Sequence, residues 1–170
     1  GLSVGSSILS MLVLSGGPKT IKIADLDILA PSNLNRIHGN IHDVGTPKIK
    51  LAAREVWGLD PFAELDLWDH GLTEKNTKEF ILNKPRLDIF IDEMDNIYLK
   101  FLVRMICRKN RIPVIMATDN GDGVILDIER YDLEPHRPFF HGLPGKVQLS
   151  GIKKLTQAKW LDLFMKIIKP

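Results

Sequence analysis

The chain has 170 residues, of which 44% are hydrophobic and 26% are charged, and its formal net charge is +2 at pH 7. This composition is that of a globular protein large enough for one α/β domain with a proper core, and it excludes a disordered or fibrous chain. Because the charge is small, the basic residues are scattered and no apolar stretch could span a bilayer, we expect a cytoplasmic protein with neither nucleic acid nor a membrane as a partner.

The predicted elements begin with a glycine-containing loop at Gly1–Ser7. A buried helix over Ile8–Leu14 follows and ends at Ser15-Gly16-Gly17-Pro18. Since such a loop normally follows a strand, we expect the first strand to be missing from this chain, as in an N-terminally truncated fragment. The next elements are a strand over Thr20–Ala24, an irregular segment over Ile28–Gly45, a helix from Pro47 to about Trp57 and a strand over Ala63–Trp68.

Strands and helices continue to alternate in the second half of the chain. Leu87–Ile91 and Pro113–Ala117 are short apolar runs, typical of strands buried on both faces. The remaining elements are helices over Thr73–Leu82, Ile97–Lys109 and Leu155–Ile168 and a strand over Gly123–Arg130. This alternation predicts an α/β, Rossmann-like fold, with a mostly parallel sheet and helices on both faces.

The segment Gly1–Ser7 is a candidate phosphate-binding loop. Backbone N–H groups of a glycine loop and of the helix that follows can approach a phosphate closely. Gly1, Ser3 and Ser6 occupy the glycine positions of the G-x-G-x-x-G motif, and Gly5 adds a second flexible position. The alternative is a tight strand-to-helix turn with a capping serine, and the segment alone does not decide between them.

Two carboxylates follow the strand predicted over Thr20–Ala24. The separation of Asp25 from Gly1 is close to that at which dinucleotide-binding folds place an acid on the ribose hydroxyls. Asp27 would face the same side if the strand continued. The alternative is a pair of solvated turn carboxylates.

Cationic and acidic side chains follow farther along the chain. Arg36 can bind a phosphate as a planar fork, and Lys48 would place a positive charge near a helix start, where a bound anion would resolve its conflict with the helix dipole. Asp92 and Asp95 follow the strand predicted over Leu87–Ile91, where an acid can hold Mg²⁺ together with phosphate oxygens. The alternatives are solvated surface cations and an Asp that caps the next helix.

Taken in order, these residues resemble a known family. The segments that carry the resemblance are Asp25-Leu-Asp27, Ser32-Asn33-Leu34-Asn35-Arg36, Gly45-Thr46-Pro47-Lys48 and Asp92-Glu-Met-Asp95-Asn96. Their order and spacing are similar to those of ThiF/MoeB-type adenylyltransferases, the bacterial relatives of ubiquitin-activating enzymes. The resemblance covers roughly residues 1–130 and assigns residues 1–133 to a Rossmann-like ATP-binding adenylation domain. Residues 134–170, a Pro- and Gly-rich segment with a C-terminal amphipathic helix, would complete that domain or begin a following region.

The resemblance implies a site for ATP and Mg²⁺. In the family, the acid that matches Asp25 binds the ribose, and the residues that match Asn33, Arg36 and Lys48 handle the triphosphate. The acid that matches Asp95 is associated with magnesium. We therefore expect Arg36, Lys48 and Asp95 to be catalytic, and we expect further nucleotide contacts from Gly1, Ser3, Gly5 and Asp27.

The reaction that the resemblance implies is the adenylation of a carboxylate. The carboxylate attacks the α-phosphate of ATP and gives an acyl-adenylate and pyrophosphate. In the family, the substrate is commonly the C-terminus of a ubiquitin-like protein or a peptide, and the analogy also implies a homodimer.

The chain departs from the family pattern in several respects. Like the first strand, the segment from which family members lend an arginine to the partner subunit is expected to be missing from this chain, and the glycine loop carries serines. Paired Cys-x-x-Cys motifs are missing, so we expect no structural zinc. Cys107 falls within a predicted helix, where a small buried residue is expected rather than a nucleophile. We therefore expect adenylation without thioester transfer by this chain.

Two other functions fit parts of the sequence. An NAD(P)-binding Rossmann oxidoreductase would use the glycine loop and Asp25 equally well, but it has no use for Arg36, Lys48 and Asp95 in this arrangement. A non-catalytic dimerisation or scaffold half of an activating enzyme could have lost its nucleotide-site residues, whereas these residues are present here.

Overall fold

The computed structural model describes residues 1–120, 122–145 and 147–168, and the chain divides into two compact units. The N-terminal unit is Gly1–Leu72 and the C-terminal unit is Thr73–Pro170. Each unit combines helices with a parallel strand pair, which confirms the predicted α/β, Rossmann-like class. Residues 146, 169 and 170 of the predicted segment 134–170 lie outside the described residues. In the described part of the chain, no helix is both long enough and apolar enough to cross a membrane.

The N-terminal unit contains two helices that share a core with a pair of parallel strands. Its elements are α1 (Leu2–Leu14), β1 (Thr20–Ala24), α2 (Lys48–Leu59) and β2 (Glu64–Trp68). Ile23 of β1 lies opposite Leu67 of β2. The buried core residues contributed by these elements and by the residue before β2 are Leu2, Leu9, Ile23, Ile49, Ala52, Val56 and Ala63.

The connection from β1 to α2 is irregular, as predicted, and contains two short 3₁₀ turns at Pro31–Asn33 and Ile41–Asp43. Leu29 and Ile37 from this connection are buried against Leu51 of α2. This small apolar cluster anchors the connection, which carries several of the predicted site residues.

The segment Gly1–Ser7 is not a loop, because α1 already begins at Leu2. Leu2 and Leu9 lie on the buried face of α1, and Asp25 accepts a hydrogen bond from the Leu2 N–H. The apolar helical spacing therefore starts with Leu2, and a carboxylate distant in sequence caps the helix start. The prediction of a loop before Ile8 was wrong for this reason.

The C-terminal unit contains a three-stranded sheet and four α-helices among its described residues. Its elements are α3 (Thr77–Leu82), β3 (Phe90–Ile91), α4 (Ile97–Lys109), β4 (Val114–Asn120), β5 (Gly123–Glu129), α5 (Leu149–Ile152) and α6 (Gln157–Ile168). The strand order is β3–β4–β5, with β3 and β4 parallel and β4 and β5 antiparallel. An antiparallel edge strand beside parallel strands is common in folds of this class. Phe101 of α4, Met116 of β4 and Leu163 of α6 belong to one buried core.

Four predicted elements of the C-terminal unit are shorter than expected: β5 ends at Glu129 and α6 begins at Gln157, and the helix and the strand described next differ most from their predicted bounds. The helix predicted from Thr73 begins at Thr77, because Asn76 Oδ1 accepts the Thr73 N–H at 2.6 Å and closes a separate turn. The strand predicted over Leu87–Ile91 pairs with its neighbour only at Phe90 and Ile91. The predicted elements keep their order, and the short helix α5 (Leu149–Ile152) was not predicted.

Candidate active site

The carboxyl end of β1 carries the buried carboxylate of Asp25. Asp25 Oδ2 accepts the backbone N–H of Leu2 at 2.7 Å, and Oδ1 accepts the backbone N–H of Asp27 at 2.8 Å. The first N–H groups of a helix have no partner within the helix, and the helix dipole favours a negative charge there. The Asp25 carboxylate therefore fixes the start of α1 to the end of β1.

Lys48 lies in the first turn of α2, beside Asp27. Its Nζ donates to Asp27 Oδ2 at 2.9 Å, and its backbone N–H donates to the Asp27 carbonyl at 2.9 Å. The Lys48 side chain is 6% exposed, whereas the Asp27 side chain is 58% exposed. Because an ammonium carries three N–H donors and Asp27 accepts from one, Lys48 retains donors for an anion.

Asn33 and Arg36 lie on the irregular connection between β1 and α2. Asn33 is buried, and its Oδ1 accepts the Ala30 N–H at 3.1 Å. Arg36 is exposed, and its Nη1 donates to the Ser32 carbonyl and to Asn35 Oδ1, both at 3.0 Å. Since a guanidinium has five N–H donors in a fork, Arg36 can still bind a phosphate with its other edge.

Gly1, Ser3 and Gly5 lie at the start of α1 rather than in a loop. Gly1 is the residue that precedes the helix, and the Gly5 N–H donates to the Gly1 carbonyl at 3.2 Å within the first turn. Their predicted contact with a nucleotide stays a prediction, but a glycine loop that wraps a phosphate is not the conformation of this segment.

Asp95 lies in the C-terminal unit, in the turn between β3 and α4. It is exposed, and in the described residues its carboxylate makes no hydrogen bond or ion pair. The helix cap of α4 is the next residue, Asn96, whose Oδ1 accepts the Leu99 N–H at 3.1 Å. The predicted capping role therefore belongs to Asn96, and Asp95 is available to a ligand.

Asp92 belongs instead to a buried network of charges. Its Oδ2 accepts from Arg104 Nη1 at 2.5 Å and its Oδ1 accepts from Lys100 Nζ at 3.2 Å. Arg104 Nε donates to Glu129 Oε2 at 2.5 Å, and the Tyr131 hydroxyl donates to Glu129 Oε1 at 2.5 Å. Two carboxylates and two cations thus compensate one another in the core.

The pKa values of this network reflect that compensation. Burial alone would raise the pKa of Asp92, but the charges of Arg104 and Lys100 outweigh it and hold the pKa below its ordinary value. Burial alone would lower the pKa of Arg104, and Asp92 and Glu129 raise it above its ordinary value. Asp92 and Arg104 therefore both remain charged around neutral pH.

This network was not predicted from the sequence, although the pattern of α4 contains a signal for it. Lys100 and Arg104 recur at helical spacing with Ile97 and Phe101, on the face that is buried. Two cations on an apolar helix face predict acidic partners elsewhere in the core. The pattern does not show that the partners are Asp92 and Glu129.

A surface cavity of about 490 Å³ lies in the N-terminal unit and was not predicted. Its charged groups are already paired, with Glu55 Oε1 2.5 Å from His38 Nδ1 and Asp43 Oδ1 2.6 Å from Arg54 Nη2. The hydrogen bond from Arg54 lowers the pKa of Asp43. The Asp43 and Glu55 carboxylates of this cavity thus each have a partner within it.

Within the described residues, no group of three or more His, Cys, Asp or Glu side chains could hold a metal ion. A magnesium ion that binds with nucleotide phosphates does not need such a group, because one or two carboxylates and the phosphate oxygens supply its ligands. The exposed, unpaired carboxylate of Asp95 fits that requirement, whereas the buried carboxylate of Asp92 does not.

The sequence profile of the ThiF family matches residues 3–143. The chain belongs to the ThiF family. This confirms the resemblance that the sequence segments indicate.

Two curated proteins are similar in sequence to this ThiF-family chain. The chain is 38% identical over 156 residues to the uncharacterized protein MT1398 of Mycobacterium tuberculosis. This alignment covers 92% of this chain and 21% of that protein. It is 27% identical over 143 residues to the sulfur carrier protein adenylyltransferase of Thermus thermophilus. This alignment covers 84% of this chain and 49% of that protein. The chain thus spans half or less of the length of these two relatives.

A solved structure supports the fold. The Escherichia coli tRNA N6-threonylcarbamoyladenosine dehydratase in complex with ATP aligns with a TM-score of 0.65 and 25% identity, over 74% of this chain and 51% of that protein. The chain is therefore similar to a protein whose structure contains ATP.

Cys107 is fully buried, and burial raises the pKa of its thiol to about 12 even though the Arg104 charge opposes the shift. Since a thiol is neutral below its pKa, roughly one thiol in 10⁴ is ionised at about pH 8. We expect iodoacetamide to leave Cys107 unmodified in the native protein at this pH and to alkylate it in urea, as measured by intact mass. Rapid alkylation of the native protein, or a thioester trapped on Cys107 during adenylation, would contradict this assignment.

Proposed function

We propose that this chain is the nucleotide-binding part of an ATP-dependent adenylyltransferase that activates a carboxylate. The observation that carries the proposal is the strand end of the N-terminal unit, where the fixed carboxylate of Asp25 lies near the Asp27–Lys48 ion pair. Membership of the ThiF family and the similarity to an ATP-bound structure support it.

Asp25 is proposed to bind the ribose of ATP. Each of its oxygens accepts one backbone N–H, from Leu2 or from Asp27, and a carboxylate oxygen can accept a second hydrogen bond. The ribose hydroxyls would donate to these remaining positions. Because the backbone bonds hold the carboxylate in place, little freedom is lost when the nucleotide binds.

Lys48 and Arg36 are proposed to bind the phosphates, with Asn33 as a neighbouring contact. The buried Lys48 ammonium acts as a point charge, and its position is set by Asp27. The exposed Arg36 guanidinium can approach a phosphate as a fork. Both cations would stabilise the charge that develops on the phosphates as the reaction proceeds.

Magnesium is proposed to bind at Asp95, and when bound it would neutralise phosphate charge. The fit rests on the exposure of the Asp95 carboxylate and on its lack of a partner in the described residues. Asn96, the next residue, is fixed as the cap of α4, so the position of the Asp95 backbone is defined.

The proposed reaction needs few chemical groups from the protein. A carboxylate oxygen of the substrate attacks the α-phosphorus of ATP, the bond from that phosphorus to the bridging oxygen breaks, and pyrophosphate leaves. No proton has to be transferred, because the attacking carboxylate is already ionised. Orientation of the two reactants and neutralisation of phosphate charge would therefore supply most of the rate enhancement.

The proposed substrate is the C-terminal carboxylate of a ubiquitin-like protein or a peptide. The similarity to a sulfur carrier protein adenylyltransferase supports a protein C-terminus. A cytoplasmic homodimer is proposed as the working form, by analogy with the family. Transfer of the acyl group to a cysteine of this chain is not part of the proposal, since Cys107 is buried.

We expect exchange of labelled pyrophosphate into ATP when the intact protein is mixed with a ubiquitin-like protein that ends in Gly-Gly. Lys48→Ala and Asp95→Ala should each lower the exchange rate by about 10²-fold or more, because each removes a charge that stabilises the phosphates or their metal ion. Lys50→Ala is the matched control, since Lys50 is exposed on the same helix as Lys48. Exchange that survives either of the first two substitutions would refute the residue assignments.

The affinities for ATP and for NAD⁺ distinguish the proposed adenylyltransferase from an NAD(P)-binding oxidoreductase. We expect calorimetry on the intact protein to show binding of ATP with Mg²⁺ and at least about tenfold weaker binding of NAD⁺, because Lys48 and Arg36 favour a terminal triphosphate. Preference for NAD⁺ would support the oxidoreductase, and binding of neither nucleotide would support a scaffold half.

A further inference from the structure

The turn between β3 and α4 fixes all but one of its polar side chains. Asp92, Glu93, Asp95 and Asn96 are the polar residues of this turn. Three of them hydrogen-bond to backbone N–H groups, and the fourth, Asp95, is exposed and makes no such bond in the described residues. The turn is therefore rigidly held around one available carboxylate.

Glu93 fixes the turn to the neighbouring strand. The Asp92 N–H donates to the Ile115 carbonyl of β4 at 2.8 Å, which is a regular step of the parallel ladder. At the next step the Ala117 N–H donates to the Glu93 side chain, at 3.0 Å from Oε1. In a regular parallel ladder a main-chain carbonyl of β3 would accept this bond. The Glu93 side chain thus replaces that carbonyl. The main chain can leave the sheet after Asp92, while the Ala117 N–H of β4 keeps an acceptor.

Asp92 fixes the turn to α4. Its Oδ1 accepts the Met94 N–H at 3.2 Å as well as Lys100 Nζ, and its Oδ2 accepts from Arg104. Arg104 is held in turn by Glu129 and by stacking on the Phe140 ring, whose centroid lies 3.7 Å from Cζ. Buried ion pairs of this kind contribute little net stability compared with apolar residues, but they impose a specific geometry.

We propose that Asp92 and Glu93 are positioning residues for Asp95: they fix the main chain of the turn and thereby place its carboxylate to ligate a divalent cation. This inference rests on the proposed function. The residues around a metal ligand set its orientation, and their substitution typically lowers metal affinity by about 10- to 100-fold. A held turn also reduces the conformational freedom that a carboxylate loses when it binds a cation.

The test is the affinity for Mn²⁺, measured by electron paramagnetic resonance on the intact protein with α,β-methylene-ATP. Asp92→Asn and Glu93→Ala should each weaken Mn²⁺ binding by about 10-fold or more, because the turn loses a fixed point. Glu93→Gln should restore affinity to within about threefold of wild type, since the amide oxygen can still accept from Ala117. The affinity for the analogue without metal, measured by calorimetry, should be unchanged in all three variants.

Tyr131→Phe is the control for general loosening of the network. It removes the hydroxyl that donates to Glu129 and leaves every bond of the turn intact. Its Mn²⁺ affinity should match wild type. If it weakens Mn²⁺ binding as much as Asp92→Asn does, the effect is structural and the proposal is wrong.

Asp95→Asn separates this inference from the proposed function. If Asp95→Asn weakens Mn²⁺ binding while Asp92→Asn and Glu93→Ala do not, positioning is refuted and the function stands. If the wild-type protein does not bind the analogue at all, the proposed function itself fails. Should Asp92→Asn not fold, the Glu93→Ala and Glu93→Gln pair decides the question, since Glu93 makes no ion pair within the described residues.

Discussion

A buried carboxylate requires hydrogen-bond donors, and Asp25 finds them in the backbone N–H groups of Leu2 and Asp27. This constraint organises the N-terminal unit, because β1 ends and α1 begins at the same carboxylate. The chain direction after Asp25 then brings Asp27 to the first turn of α2, where it pairs with Lys48. One interaction thereby defines both the junction of three elements and the position of the groups proposed to bind a nucleotide.

The C-terminal unit also buries carboxylates, but it stabilises them in a different way. Its buried carboxylates, Asp92 and Glu129, are balanced by the buried cations Arg104 and Lys100 rather than by backbone donors alone. Breaking such a network by removal of one partner costs about 3–5 kcal/mol, since the other charge is left buried without compensation. The two strand ends therefore differ in kind: at β1 the fixed acid is itself the candidate ligand, whereas at β3 the fixed acid supports an exposed neighbour, Asp95.

The parts of the structure that depend on local pattern could be predicted from the sequence. The bounds of β1 and α4 follow from alternation and from the Asn96 cap, and the family follows from short segments in a fixed order. Interactions between distant residues could not be predicted. The early start of α1 depends on a bond between Leu2 and Asp25, and the separation of roles between Asp92 and Asp95 depends on Arg104. No local propensity encodes these contacts, so the ion network was missed. The glycine-loop prediction was wrong because the glycines of residues 1–7 were given more weight than the apolar helical spacing that starts at Leu2.

The central claim is that the strand end at Asp25 binds the nucleotide of a carboxylate-adenylating enzyme. A crystal structure of the intact protein with α,β-methylene-ATP and Mg²⁺ tests it most directly. We expect the ribose hydroxyls to lie within about 3.2 Å of the Asp25 carboxylate and a phosphate oxygen to lie within hydrogen-bond distance of Lys48 Nζ. A nucleotide bound elsewhere, or one whose ribose does not contact Asp25, would contradict the claim.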